Sequence, residues 1–254
     1  MRTILITGAG TGIGRASAHE LAKQDDVELV LIGRRQELLD DVKQSLPNAS
    51  RHIALSVDIS HQESFRKGLQ SINPEQRNIV AIFANAGIGG ENTYGSEDRW
   101  HDIVHTNLTG TYISIMETLP YLKQSKDPFK HILITSSCLA RFGVPNYTAY
   151  CTTKTGLLGL TRSLAVELAS ERILVNAICP GWVETEMAKQ GIQLLADRAG
   201  LPYEQEFETQ MGYVPLGRMS QPIDIARQVA FLISPHQTSI TGQGIDINNG
   251  SWMQ

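Results

Sequence analysis

Tyr150 and Lys154 stand four residues apart in the stretch Tyr-Cys-Thr-Thr-Lys. On a helix that spacing puts both side chains on one face, one turn apart. A free phenol gives up its proton near pH ~10, too high to trade protons readily at neutrality. A neighbouring ammonium favours the phenolate and lowers that pKa, which makes the pair a candidate general acid/base. One such spacing in 254 residues is weak evidence alone. Its weight depends on the elements that must position it.

Those elements have a clear rhythm. Short β-branched apolar runs at 3–7, 28–32, 52–56, 79–84, 131–136, 174–178 and 244–247 alternate with stretches of helical period such as 14–24, 36–46 and 152–168. The runs are nearly all apolar, as in strands buried on both faces. Strand and helix in alternation imply crossover units, a parallel sheet and helices on both of its faces, an α/β doubly wound fold. No repeat, low-complexity tract or linker interrupts the pattern, so residues 1–254 are expected to form one domain. Residues from about 184 to 217 break the rhythm and read as a helical insertion suited to a substrate lid.

Composition narrows the function classes. Charged residues are 19% and hydrophobic ones 41%, ordinary for a globular chain with a sizeable core. The net charge of −4, without a basic run, gives no reason to expect a nucleic-acid partner. Cys138, Cys151 and Cys179 are odd in number and lack metal-ligand spacing, so no metal is expected and free thiols in a reducing compartment are. Cys179 closes an apolar run and reads as core. No stretch approaches the ~20 apolar residues of a membrane span, and the N-terminal apolar run is too short for a signal peptide, so a cytoplasmic protein is expected.

After the first strand comes Thr7-Gly8-Ala9-Gly10-Thr11-Gly12-Ile13-Gly14. Glycines in a turn between strand and helix let the backbone approach a pyrophosphate at the helix N-terminus. The spacing Thr-Gly-x-x-x-Gly-x-Gly resembles the short-chain dehydrogenase/reductase family, with Gly8, Gly12 and Gly14 matching its fingerprint and Thr11 and Ile13 inside it. The resemblance runs from residue 3 to the C-terminus and implies a Rossmann-type fold of about seven strands. Asp58 and Ile59 match the place where the family hydrogen-bonds adenine. Asn85-Ala86-Gly87 matches its Asn-Asn-Ala-Gly motif, with Ala84 replacing the first Asn and removing one polar contact.

Coenzyme choice is read in Ile32-Gly33-Arg34-Arg35. An NAD enzyme usually places an acid there to bind the ribose 2′-hydroxyl. A guanidinium suits a 2′-phosphate instead, so NADP(H) is the expected cofactor, with Arg34 the main contact and Arg35 flanking it; NAD(H) stays possible. Thr11 weakens this preference slightly, because many NADP-using relatives carry a basic residue there.

The resemblance also implies a catalytic tetrad of Asn107, Ser137, Tyr150 and Lys154. Ser137 ends the fifth run, thirteen residues before Tyr150. A serine at a strand's carboxyl end faces the crevice where such sheets bind ligands, and its hydroxyl can steady oxyanion charge. Its neighbour Ser136 would point to the other face. Asn107 matches the residue with which relatives hold a water that links the lysine to solvent. Pro180-Gly181-Trp182-Val183-Glu184-Thr185 matches the Pro-Gly segment, in which an amide near Val183 and the Thr185 hydroxyl fix the nicotinamide carboxamide. Trp182 is a candidate for the substrate pocket, with plain core packing the equal alternative. His101 and His105 occupy no motif position and read as surface or structural residues.

The mechanism this implies is reduction of a ketone to a secondary alcohol, with Ser137 and Tyr150 on the carbonyl oxygen. Several stretches, among them Val214-Pro-Leu-Gly-Arg218, resemble bacterial ketoreductases acting on 3-ketoacyl thioesters or polyketide chains. The mixture in 187–211 of Ile192, Leu194, Leu195, Leu201 and Phe207 with acids suits an apolar or acyl ketone. That segment has no basic cluster for a carrier phosphate, although Arg141, Lys189 and Arg198 are available. A non-catalytic cofactor sensor would show a decayed tetrad, and a sugar epimerase would be longer. An NAD-dependent alcohol dehydrogenase working in the oxidative direction remains the alternative. Relatives suggest a homotetramer or homodimer that pairs helices at about 98–123 and 152–169 and the strand at 244–247.

Overall fold

The computed structural model describes residues 1–253; Gln254, the last residue of the expected domain, lies outside them. Seven strands form one sheet: β1 (Arg2–Thr7), β2 (Val27–Gly33), β3 (Ile53–Ser56), β4 (Asn78–Ala84), β5 (Lys130–Thr135), β6 (Ile173–Pro180) and β7 (Gly244–Ile247). Their spatial order is β3-β2-β1-β4-β5-β6-β7, and every neighbouring pair is parallel. This is the Rossmann-type doubly wound sheet. The chain leaves β3 at one edge and returns to lay β4 beside β1, so the strand order reverses between those two. Ligands in such sheets bind outside the carboxyl ends of the strands at that reversal.

The helices are α1 (Gly12–Leu21), α2 (Gln36–Ser45), α3 (Gln62–Ser71), α4 (Trp100–Val104), α5 (Thr111–Gln124), α6 (Thr148–Glu167), α7 (Glu186–Ala199), α8 (Tyr203–Gly212) and α9 (Pro222–Leu232). Strand alternation divides the core into two layers. On one face Leu5, Ile82 and Ile132 meet α3, α5 and α6 through Phe65, Ile115 and Leu157. On the other, Ile4, Phe83 and Leu133 meet α1, α2 and α9 through Leu21, Leu39 and Val229. Each such buried side chain contributes about 1.5–3 kcal/mol relative to exposure. That explains why the central stretches of the strands are apolar at successive positions rather than at alternate ones.

Three local features depart from the sequence expectations. The helix expected at about 98–123 is interrupted, because a π-helical turn over His105–Gly110 separates α4 from α5. α6 begins at Thr148, four residues earlier than expected, after Asn146 turns the chain with a φ of 65°. β5 stops at Thr135, so Ser137 lies beyond the strand rather than at its end. The insertion is two helices, α7 and α8, joined where Gly200 takes a φ of 66° and packed around Ile192 and Met211. Among the described residues no helix is long and apolar enough to cross a membrane.

Candidate active site

α6 docks on the carboxyl end of β5 through its own catalytic candidates. Lys154 is buried; its Nζ donates to the Thr135 carbonyl (2.8 Å) and lies 5.4 Å from the centre of the Tyr150 ring. Ser136 does take a different partner from Ser137: its hydroxyl donates to the Lys154 carbonyl (2.8 Å), fastening the helix backbone to the strand end. Ser137 keeps an extended backbone (φ −164°, ψ 158°) and its Oγ accepts from the Leu139 amide (3.1 Å). That bond occupies an oxygen lone pair and leaves the hydroxyl proton available to donate.

Burial dominates the electrostatics here. It pushes the Tyr150 phenol up to about 12, against the opposing influence of the Ser137 hydroxyl. The same desolvation brings Lys154 down to about 8, with the Cys179 thiol acting the other way. The expectation that Lys154 pulls the phenol toward neutrality is therefore not met in this structure. The ammonium is anchored to Thr135 and stands over the ring, and desolvation of the charged forms outweighs its attraction. At neutral pH the site holds a protonated phenol beside an amine that is itself able to exchange protons.

Asn107 sits in the π-turn, 1% exposed. Such turns interrupt a helix and frequently occur at functional sites. Its side chain grips Ile88 twice: Oδ1 accepts from the Ile88 amide (2.8 Å) and Nδ2 donates to the Ile88 carbonyl (2.9 Å). A Cβ on Gly87 would stand 3.1 Å from Asn107 Oδ1 and 3.7 Å from Lys154 Nζ. Glycine at 87 thus keeps a narrow gap open between these two residues. The structure gathers Asn107, Tyr150 and Lys154 around the ends of β4 and β5, with Ser137 next to them.

The cofactor candidates line the neighbouring strand ends. Gly8 and Gly12 have φ values of 68° and 52°, and a Cβ on Gly14 would lie 2.2 Å from the Gly8 carbonyl oxygen, so the turn admits only glycine at these places. Thr11 opens α1 without a side-chain capping bond, which leaves first-turn amides for an anion. Ile13 packs into the α1 layer. Asn85 turns out to be a clamp: its Nδ2 donates to the Thr7 carbonyl (3.2 Å) and its Oδ1 accepts from the Thr135 hydroxyl (3.0 Å). Thr7 Oγ1 in turn accepts from the Asn85 and Ala86 amides. These bonds hold the ends of β1, β4 and β5 together.

At the end of β2 the Arg34 side chain is 65% exposed and, among the described residues, pairs with Asp58, 4.0 Å away. Arg35 opens α2 and is exposed. Burial alone would raise the Asp58 pKa, but two hydrogen bonds from Ser60 and the charges of Arg34 and His61 outweigh it and hold the carboxyl below its usual range. Ile59 is buried against the π-turn, where a Cβ on Gly110 would meet it at 2.9 Å.

After β6, Gly181 passes so close to Asn248 that a Cβ would lie 2.9 Å from the Asn248 Cα. Val183 pairs with Ser220, and the Thr185 hydroxyl donates to the Val183 carbonyl (3.2 Å) while accepting from the Ala188 amide (3.4 Å) to cap α7. The Thr185 methyl stands 3.1 Å from where a Gly12 Cβ would be, so the start of α7 faces the glycine turn. Trp182 packs with the small apolar cluster of α7 and α8, over Gly191. Two of the basic residues available for a carrier phosphate are already committed. Arg141 binds Asp246 and the Gly244 carbonyl and lies over Trp252; Arg198 forms a two-point pair with Glu91. Lys189, like His101 and His105, is exposed.

The open glycine turn, the uncapped start of α1, the gap at Gly87 and the adjacent phenol–amine pair fit a nicotinamide dinucleotide. Fold and site together define a nicotinamide-dependent oxidoreductase. A family profile for short chain dehydrogenases matches residues 2–193, and the chain belongs to that family. It is 31% identical over 99% of its length to the 3-oxoacyl-[acyl-carrier-protein] reductase of Staphylococcus aureus, covering 98% of that protein. Among solved structures it resembles a point variant of actinorhodin polyketide ketoreductase with NADPH (TM-score 0.91, 29% identity, 98% of this chain and 97% of that one). It also resembles 3-ketoacyl-(acyl-carrier-protein) reductase from Brucella melitensis complexed with NADH (TM-score 0.85, 27% identity, 99% and 98%). The protein is thus an oxidoreductase acting on a ketone or CH–OH group with a nicotinamide cofactor. Sequence reasoning missed the Thr135 carbonyl, Ser136 and the Thr7–Asn85 clamp, whose roles have no local signature.

Proposed function

We propose that the chain is an NADP(H)-preferring reductase of a 3-ketoacyl or similarly apolar ketone, built as one domain with α7 and α8 as its substrate lid. A bound reduced nicotinamide supplies hydride to the carbonyl carbon. Ser137 and Tyr150 hydrogen-bond the ketone oxygen, and the Tyr150 proton passes to that oxygen as negative charge develops on it. Lys154 returns a proton to Tyr150 and holds the nicotinamide ribose hydroxyls, while Asn107 keeps the solvent side of this relay in place. Thr11, Gly12, Ile13 and Gly14 take the pyrophosphate, Asp58 and Ile59 the adenine, and Arg34 with Arg35 the 2′-phosphate. Asn85, Ala86, Gly87, Pro180, Gly181, Val183 and Thr185 form the walls around the nicotinamide, and Trp182 supports the lid.

The observation that carries this reading is the grouping of Tyr150 and buried Lys154 on α6 beside Ser137, with Lys154 Nζ fixed on the Thr135 carbonyl (2.8 Å) and 5.4 Å from the Tyr150 ring centre, and with the phenol protonated at neutral pH. A protonated phenol is ready to act as the acid of a reduction and must first lose its proton to act in an oxidation. The exposed Arg34 guanidinium supports NADP(H). The NADH complex of the Brucella relative favours keeping an NAD-dependent alcohol dehydrogenase as the second reading. The three free cysteines suit a reducing compartment such as the cytoplasm. Exposed Tyr112 on α5 and Val166 on α6 support a homotetramer or homodimer through those helices; a monomeric mass at micromolar protein would count against it. The test is NADPH and NADH consumption side by side on 3-ketoacyl thioesters, cyclic ketones and diketones. Turnover of an acyl ketone with NADPH is expected, and turnover with NADH alone would overturn the cofactor assignment.

A further inference from the structure

The connection from β4 to α4 carries one almost buried polar residue, Asn92, 8% exposed. It makes four hydrogen bonds. Its amide donates to the Asn146 carbonyl (2.8 Å), and its Nδ2 donates to Asp98 Oδ1 (3.2 Å). Its Oδ1 accepts from the Thr148 hydroxyl (3.1 Å) and from the Ala149 amide (2.8 Å). Asp98 Oδ1 also accepts from the Trp100 amide (2.9 Å), which fixes the start of α4.

These partners are placed where catalysis needs rigidity. α6 opens at Tyr147 with no side-chain cap of its own. An uncapped helix start leaves amides that some other oxygen must satisfy. Asn92 supplies that oxygen from a different element, at the residue immediately before Tyr150. Through Asp98 the same side chain reaches the helix that runs into the Asn107 turn. A single carboxamide thus joins the element carrying Tyr150 and Lys154 to the element carrying Asn107, using its acceptor on one and its donor on the other. We infer that Asn92 is a positioning residue of the reaction: it caps α6 from outside and sets the Tyr150 hydroxyl against Ser137 and the substrate oxygen. This rests on the acid/base reading of Tyr150.

The test uses the donor–acceptor sense of the Asn92–Asp98 bond. N92A removes both side-chain links and is expected to lower kcat roughly 10- to 100-fold, the range a misplacement of about 1 Å produces. N92D keeps the acceptor for Ala149 but loses the donor and opposes two carboxylates, so a fall of at least about tenfold is expected. D98N keeps an acceptor for both Asn92 and Trp100 and is expected to cost less than N92D. The N92D/D98N double variant removes the opposed carboxylates and lets the residue-98 carboxamide donate to the new carboxylate at 92, but the oxygen that accepts from Trp100 must then turn away from that amide. Its kcat is therefore expected to rise several-fold above N92D without returning fully to wild type. In all of them kcat is expected to fall by more than the ketone KM or the Kd for NADPH changes, because most of the cofactor contacts lie on elements other than α6. General loosening would move KM, Kd and melting temperature together with kcat, and the swap would restore nothing. The inference is overturned by wild-type kcat in N92A, or by a double variant no better than N92D. The second comparison decides alone if N92A does not fold. Y150F runs alongside: if it turns over normally, the acid/base reading is what fails. If it is inactive while N92A is normal, only the role of Asn92 falls.

Discussion

Acidification should find a weak point in the sheet at His131. This residue lies near the start of β5, 1% exposed, and among the described residues neither ring nitrogen has a hydrogen-bond partner. Burial, helped by the charge of Arg2 and opposed by Asp127, lowers its pKa to about 4 from the ordinary 6.5. The folded protein therefore holds a neutral imidazole that the unfolded chain protonates readily. Stability is complete above about pH 6.5, falls as pH drops below that value, and stops falling on this account near pH 4. A displacement of that size corresponds to about 3 kcal/mol over the whole window and about 2 kcal/mol by pH 5, as orders of magnitude. His131→Leu removes both the titration and two orphaned polar atoms at similar volume. Denaturant unfolding of both proteins, at matched protein concentration and at pH 7, 6, 5 and 4.5, should show the variant at least as stable as wild type at pH 7. Its stability should also fall less steeply below pH 6.5. Parallel pH dependence in the two proteins, or a variant destabilised by more than about 2 kcal/mol at pH 7, would refute the reasoning.

Three further outcomes follow from the site. Arg34→Ala should raise the KM for NADPH about 10- to 100-fold, the worth of a charge-assisted phosphate contact, and leave that for NADH within about threefold; equal shifts for both would contradict the assignment. Because Lys154 is brought down to about 8, raising the pH through that value should slow ketone reduction and speed alcohol oxidation as the relay loses its proton. A ratio of the two rates that shows no break near pH 8 would argue against Lys154 in the relay. Glu91→Gln breaks the pair that ties α7 to the connection after β4, so the ketone KM should rise several-fold with little change in kcat, and limited proteolysis should cut faster within α7 and α8.

The sheet was legible because its strands are buried on both faces: runs such as Leu29, Val30, Leu31 and Ile32 admit no reading but core. The glycine turn was legible because only glycine tolerates the φ of Gly8 and Gly12 and the closeness of Gly14 to the Gly8 carbonyl. What escaped depends on contacts between distant segments. The π-turn at Asn107 is held by Ile88 and wedged by Ile59, and neither contact has a periodic signature. The early start of α6 depends on Asn146 and on Asn92, far away in sequence. Arg141 and Arg198 read as free cations in the sequence, and only the fold shows Asp246 and Glu91 beside them. The raised Tyr150 pKa was not readable from a lysine four residues on, because burial, not spacing, decides it.

The central claim is that Tyr150 passes its proton to the substrate oxygen. Its most direct test is steady-state ketone reduction by Tyr150→Phe, with NADPH binding measured in parallel. The account predicts a loss of kcat of about 10²- to 10⁴-fold with the Kd for NADPH nearly unchanged. Turnover within a few-fold of wild type would contradict it.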